Sequence, residues 1–232
     1  MHYVLGDIHN ELSKLKNILD QIHLGTNDEL IILGDIFDRG ADKADPVGVY
    51  FELCKIQGKC TWIRGNHDQW LADYICDYYH TKERKRCKLA PYHYNSFDLM
   101  KNRLSEVDML DIAYLITKLP TQKYYEIEGK KYLFAHAMTS YPDIQSLDYF
   151  LMGTAELNSF FLDGIDGFIS FVGHTPSANV IWKKGQGKFL DEDKKSIWTN
   201  KNENVYLMDC GCGFSAGKLA CMCIETSERF YA

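Results

Sequence analysis

No apolar run in the sequence approaches the roughly 20 residues that a bilayer-spanning helix needs, so no membrane partner is expected. Basic residues are in deficit: 26 Lys and Arg stand against 32 Asp and Glu, a formal net charge of -6. A general nucleic-acid binder usually presents a basic surface, so no nucleic-acid partner is expected either. Strand and motif follow Met1 so closely that they leave no room for a signal peptide, and a cytoplasmic location is expected. Linkers, repeats and low-complexity stretches are missing as well. The expectation is one domain over residues 1–232, with a sizeable core and a mostly helical segment at about 69–119.

The eight cysteines include no Cys-x2-4-Cys pair, the spacing that zinc sites prefer. Cys210/Cys212 and Cys221/Cys223 instead form two Cys-x-Cys pairs in a strand-turn-strand segment. Residues two apart share one face of a strand, and free cysteine behaves as a small buried hydrophobe. Core packing is therefore expected there, not a four-thiolate metal site. Disulfides are not expected in a reducing compartment.

What the sequence has is organised around Leu33-Gly34-Asp35-Ile36-Phe37-Asp38-Arg39-Gly40, which follows the apolar run Leu30-Ile31-Ile32-Leu33. A short apolar run of this kind reads as a buried strand. Two carboxylates at a strand end, with glycines that let the backbone approach a ligand, suit a divalent cation. Gly6-Asp7-Ile8-His9 stands in the same relation to a strand over His2–Leu5, and Gly65-Asn66-His67-Asp68 to one over Cys60–Arg64. Leu12, Leu15, Ile18, Leu19 and Ile22 recur with a helical period. Asp45-Pro46 predicts a helix start, and that helix is expected to run to about Gln57 and stop at Gly58. Strand-helix-strand-helix-strand predicts a parallel sheet with ligands gathered at the carboxyl ends of its strands.

Further on, Lys82–Lys88 holds five basic residues and reads as solvated surface. Tyr78-Tyr79 and Tyr92/Tyr94 read as partial core or as the lining of a cleft. A hairpin is predicted at Glu128-Gly129, between strands over Tyr124–Ile127 and Lys131–Ala135. Helices are expected near Ser146–Met152 and Ala155–Leu162, a strand over Phe168–Val172, and strands with a turn at Gly211–Gly217 between Val205 and Ile224. His136 and His174 each follow one of these strands. Five loops thus offer Asp7, His9, Asp35, Asp38, Asn66, His67, His136 and His174. Oxygen and nitrogen donors without thiolate suit manganese, iron or zinc better than calcium. Six ligands are too many for one open ion but fit two ions that share a bridging carboxylate.

The three motifs, taken in order with His136 and Gly173-His174, resemble the calcineurin-like metallophosphoesterases, and within them the small bacterial and phage Ser/Thr phosphatases of the phosphoprotein phosphatase branch. The resemblance spans nearly the whole chain. It implies an α/β four-layer sandwich, two mixed β-sheets packed face to face and flanked by helices. It also implies two divalent metal ions, manganese first and iron or zinc as alternatives. Asp7, His9 and Asp35 would hold one ion, and Asp35, Asn66, His136 and His174 the other. His67 and Asp38 would be the acid and its orienting partner, and Arg39 a phosphate clamp. The implied reaction is hydrolysis of a phosphate monoester by direct attack of a metal-bridging hydroxide, on a phosphoprotein or a small phosphorylated substrate.

Nucleases and phosphodiesterases of this fold generally end in Gly-His-x-His, whereas Gly173-His174-Thr175-Pro176 lacks the second histidine. With Asp38-Arg39-Gly40, this favours a Ser/Thr or dual-specificity protein phosphatase. The same ligands would serve a symmetrical bis(5'-nucleosyl)-tetraphosphatase, and a phosphate-binding module without activity is the reading from another class. Two departures stand out. Asn10 replaces a usual glycine, and the second phosphate-binding arginine is missing, since no Lys or Arg occurs from Ala137 to Gly173. The phosphate is then expected to be held by the metals and Arg39, helped by a lysine from another loop such as Lys130 or Lys183; the alternative is that Arg103, or another residue of the helical segment, restores the clamp.

Overall fold

The computed structural model describes residues 1–41, 43–56, 59–80, 95–153, 159–179 and 185–232. Its first third winds β1 (His2–Leu5), α1 (Leu12–Ile22), β2 (Glu29–Ile32), α2 (Pro46–Cys54), β3 (Lys59–Trp62) and α3 (Asn66–His80). Strands β1, β2 and β3 pair in parallel, as a βαβαβ run requires. Then come α4 (Ser96–Met100), α5 (Glu106–Lys118) and the hairpin of β4 (Gln122–Ile127) and β5 (Lys130–Ala135). After them lie α6 (Leu147–Met152), α7 (Ser159–Asp163), β6 (Ile169–Val172), β7 (Gly187–Phe189) and β8 (Trp198–Asn200). The chain closes with β9 (Val205–Leu207), β10 (Ala220–Cys223) and β11 (Arg229–Tyr231).

The strands form two mixed sheets, ordered β11-β10-β1-β2-β3 and β4-β5-β6-β9-β8-β7. Side chains alternate across a strand, and here the alternation divides the layers. Ile31 and Leu33 enter the core between the sheets with Val4, Phe134, Phe171 and Met208. Leu30 and Ile32 point the other way, into a core shared with α1, α2, α3 and α5 through Leu15, Leu53, Ile75 and Ile112. A third core seats Phe160 and Phe161 of α7 on Val172, Trp198, Val205 and Leu207. This is the expected sandwich of two mixed sheets flanked by helices.

Several local expectations are corrected. Helix α2 starts as predicted: Asp45 caps it by accepting from the Gly48 N–H at 2.8 Å, with Pro46 in the first turn. It ends at Cys54, however, because Lys55 and Ile56 donate to Glu52 and Leu53, a tightened last turn that sends Ile56 into the outer core. Residues 57 and 58 lie outside the described set. Cys210 and Cys212 do not share a face. Gly211 turns between them with φ +83°, so Cys210 joins the inter-sheet core and Cys212 the helix-side core. No cysteine belongs to a metal-competent cluster among the described residues. Strands β7, β8 and β11, three residues each, were not anticipated. The start of the helix expected near Ala155, the basic run Lys82–Lys88, Tyr92/Tyr94 and Lys183 lie outside the described residues. Tyr78 and Tyr79 pack on Phe97, with ring centroids 4.7 and 6.4 Å away. No helix among the described residues is long and apolar enough to cross a membrane.

Candidate active site

Five strand ends or helix starts deliver polar side chains to one place. Asp7 and His9 follow β1, Asp35 and Asp38 follow β2, Asn66 and His67 open α3, His136 follows β5, and His174 follows β6. All are buried except His174, which is partly so. Asp7, His9 and Asp35 bring one donor atom each within 4.8 Å of one another, and Asp35, His136 and His174 do the same. Asp35 is the shared member. Its Oδ2 lies 3.7 Å from His9 Nε2, and its Oδ1 lies 3.4 Å from His136 Nε2. Asn66 Oδ1 stands 2.9 Å from both His136 Nε2 and His174 Nδ1.

Backbone carbonyls set the orientation of two of these rings. His9 Nδ1 donates to Phe37 O at 3.1 Å, and His136 Nδ1 donates to Leu33 O at 2.8 Å. A carbonyl can only accept, so the hydrogen sits on Nδ1 and Nε2 faces the carboxylates. Burial pushes His9 well below its usual range, and burial with nearby His136 lowers His174 to about 4, so both are neutral imidazoles, the ligand form. Burial tends to raise Asp35, but His136, His67 and His9 outweigh it and hold that carboxyl well below its usual range. Burial opposes charging His136, yet Asp35 and Asp7 raise it to about 10. Carboxylate, carbonyl and imidazole lone pairs converging in a buried space draw positive charge to themselves. Such a donor set fits divalent cations, since buried charge is otherwise left unpaired.

Beside these donors lies a buried histidine–aspartate pair. His67 Nδ1 lies 3.1 Å from Asp38 Oδ2, and His67 Nε2 accepts from Arg39 Nη2 at 3.1 Å. Arg39 Nη1 also donates to His9 Nε2 at 2.9 Å. The guanidinium fork therefore spans the candidate ligand His9 and the candidate acid His67. The Trp70 ring meets His67 edge-on, with centroids 5.0 Å apart.

The supporting shell explains several residue choices. Asp68 accepts from the N–H groups of Ile36, Phe37 and Gly65, locking two site loops together. Gly65 is glycine because a Cβ there would collide with Asp35 Oδ1 and the Asp35 backbone. Among the described residues ten non-glycine positions have positive φ, and six of them, His9, Asn10, Asp35, Asp38, Arg39 and His174, belong to these loops. Strain of this kind gathers at functional sites. Asn10, the departure from glycine, takes φ +61°, a region that asparagine tolerates better than most residues.

Sequence reasoning missed two members. Ser96 Oγ accepts from the Asp38 N–H at 2.7 Å, and the Ser96 N–H donates to Asp38 Oδ1 at 3.0 Å. Asp209 is buried after β9. Its Oδ1 accepts from the Gly211 N–H at 2.7 Å, and its Oδ2 has no hydrogen-bond partner. Burial raises Asp209 to about 6, and burial with the Asp209 charge pushes Asp7 well up. A signal is present in the sequence, because Asp209 lies just past the apolar strand Val205–Leu207, as Asp7 and Asp35 lie just past theirs.

Of the residues expected to replace the missing arginine, the two that are described, Lys130 and Arg103, are placed elsewhere. Lys130 starts β5, while His136 follows its other end, roughly 20 Å away at about 3.3 Å per residue. Arg103 pairs with Asp45, the cap of α2, at 2.5 Å.

The sequence profile of the calcineurin-like phosphoesterase family matches residues 3–207. An uncharacterized protein of Methanocaldococcus jannaschii is 27% identical over 206 residues, which cover 84% of this chain and 72% of that protein. A symmetrical bis(5'-nucleosyl)-tetraphosphatase of Erwinia tasmaniensis is 30% identical over 139 residues, 58% of this chain; the match spans only 43% of that enzyme's length. A crystal structure provisionally named a diadenosine tetraphosphatase aligns with a TM-score of 0.64 at 16% identity, covering 100% of this chain and 92% of that one. At that identity the likeness is one of fold.

Proposed function

This chain belongs to the calcineurin-like phosphoesterase family, and we propose that it hydrolyses phosphoric esters with two divalent cations, manganese first among them. Asp7, His9 and Asp35 would hold one, and Asp35, Asn66, His136 and His174 the other. The observation that carries this reading is the Asp35 carboxylate, whose two oxygens face His9 on one side and His136 on the other. Bound there, such a pair would supply Lewis acidity that activates water for attack and polarises the phosphoryl oxygens.

The chain's own residues account for the rest. With the His9 Nε2 lone pair engaged by a cation, Arg39 Nη1 is free to donate to an anionic oxygen, and the fork gives phosphate two parallel donors. Asp38 holds the His67 ring through Nδ1; with Arg39 Nη2 turned from His67 to the phosphoryl oxygen, Nε2 is able to carry a proton and deliver it to the departing oxygen. No side chain in this scheme forms a covalent bond to phosphorus.

Two substrate classes suit this machinery. Asp38-Arg39-Gly40 and a proline, Pro176, in place of the second histidine of Gly-His-x-His support a phosphate monoester on serine or threonine of a protein. The Erwinia relative's name supports a bis(5'-nucleosyl) tetraphosphate. A phosphopeptide and a dinucleoside tetraphosphate assayed side by side with manganese separate the two by the ratio of kcat/KM. Turnover of neither, with an aryl phosphate also inert, would contradict the hydrolase reading itself.

A further inference from the structure

The Arg39 guanidinium lies over the ring of Phe214, its central carbon 4.9 Å from the ring centroid. Phe214 sits between β9 and β10, is half-buried, and belongs to none of the three apolar cores. Core packing therefore gives no reason for a large aromatic side chain at this position.

The loop that carries it is pinned. The Phe214 N–H donates to Gly211 O at 3.1 Å, and the Gly217 N–H donates to Phe214 O at 2.9 Å. Lys14 Nζ reaches across from α1 to Gly217 O at 2.9 Å. Gly213 has φ +87°, and a Cβ there would come within 2.6 Å of His9 Cβ and 3.1 Å of Arg39 Cβ. The loop is thus pressed against the site, and only glycine permits that approach.

Arg39 is held from behind through its backbone. Its carbonyl accepts from Asn95 Nδ2 at 2.8 Å and from Asn10 Nδ2 at 3.3 Å. Its Nε is buried without a hydrogen-bond partner. Among the described residues no carboxylate forms an ion pair with it. An arginine oriented by a carboxylate would have its charge largely neutralised. A ring face attracts and flattens the guanidinium while leaving its charge and its N–H fork for an anion.

We propose that Phe214 is a positioning residue that holds Arg39 in place to clamp the phosphoryl group, since among the described residues the other arginines, Arg64, Arg103 and Arg229, are engaged with Gln69, Asp45 and Asp191. The proposal rests on the reading of Arg39 as the anion clamp.

A double-mutant cycle in the manganese-loaded enzyme tests it, with kcat/KM for an aryl phosphate and the inhibition constant of inorganic phosphate as readouts. Phe214→Leu keeps an apolar side chain of similar bulk and removes the ring face. It is expected to weaken both quantities by roughly three- to thirtyfold, the range of a partly desolvated cation–π contact, and Phe214→Tyr is expected to restore most of the loss. In an Arg39→Ala background, Phe214→Leu should change neither readout by more than about twofold, since the coupled partner is gone. An equal loss from Phe214→Leu in both backgrounds, or no loss in the parent, would overturn the positioning role alone. Full activity in Arg39→Ala by itself would overturn the clamp reading, and this proposal with it.

Discussion

Asp38 and His67 face each other 3.1 Å apart through Oδ2 and Nδ1, both buried, and His67 Nε2 is thereby aimed at the guanidinium of Arg39. A ring fixed at one nitrogen by Asp38 and facing Arg39 with the other suits proton delivery better than metal ligation, since Asn66 already supplies the oxygen beside His136 and His174. His67→Asn is expected to retain bound manganese and to lose about 10²–10⁴ in kcat on phosphoserine, with a much smaller loss on an activated aryl phosphate. Equal losses on both substrates would remove the leaving-group role.

Ser96 supports that pair from the opposite side, with its hydroxyl on the Asp38 N–H and its own N–H on Oδ1. Ser96→Ala leaves a buried N–H without its acceptor, a cost of about 1–3 kcal/mol in stability. It should also reduce kcat while leaving KM nearly unchanged, because Asp38 loses its fixed position. Chemical denaturation and steady-state kinetics on the same variant check both parts.

The contrast between Asp35 and Ser96 shows what the sequence could reveal. The alternation of Leu30, Ile31, Ile32 and Leu33 across two cores is a strand pattern, and a carboxylate just past such a strand can be found by eye. Asp209 obeys the same rule, but no histidine accompanies it in the sequence to mark it as a site residue. Ser96 reaches Asp38 across 58 positions, from a short helix with no local signature. Strands of three residues such as β7, β8 and β11 carry too little periodicity to register. Cys210 and Cys212 were misplaced because the left-handed turn at Gly211 breaks the two-residue alternation.

Asn10 gives a second test of backbone logic. Its φ of +61° suits asparagine or glycine, while its Nδ2 also donates to Ser96 Oγ at 3.0 Å. Asn10→Ala should destabilise the fold by about 1–2 kcal/mol from the left-handed conformation alone, and by more once the lost hydrogen bonds are added. Asn10→Gly should avoid the conformational part. If the two variants melt at the same temperature, the backbone argument fails.

Acid sensitivity follows from the carboxylates held low. Burial tends to raise Asp191, but the Tyr231 hydroxyl and the Arg229 guanidinium outweigh it and lower that carboxyl. Asp45 is lowered likewise, against burial, by the Gly48 N–H and Arg103. The unfolded chain binds protons at these groups before the native chain does. Their stabilisation is therefore complete above the usual carboxylate range, near pH 4, and is lost as pH falls through the lowered native values. The difference in melting temperature between the parent and Asp191→Asn should shrink steadily from pH 6 towards pH 3. A difference that stays constant over that range would show that the Asp191 charge is not responsible.

The central claim is that Asp35 joins two cation sites, one through each carboxylate oxygen. The most direct measurement is the metal content of purified, fully active protein loaded with manganese, determined together with its activity as metal is withdrawn. The account predicts about two ions per chain at full activity, and loss of activity when either is removed. Full activity with a single ion per chain would contradict it.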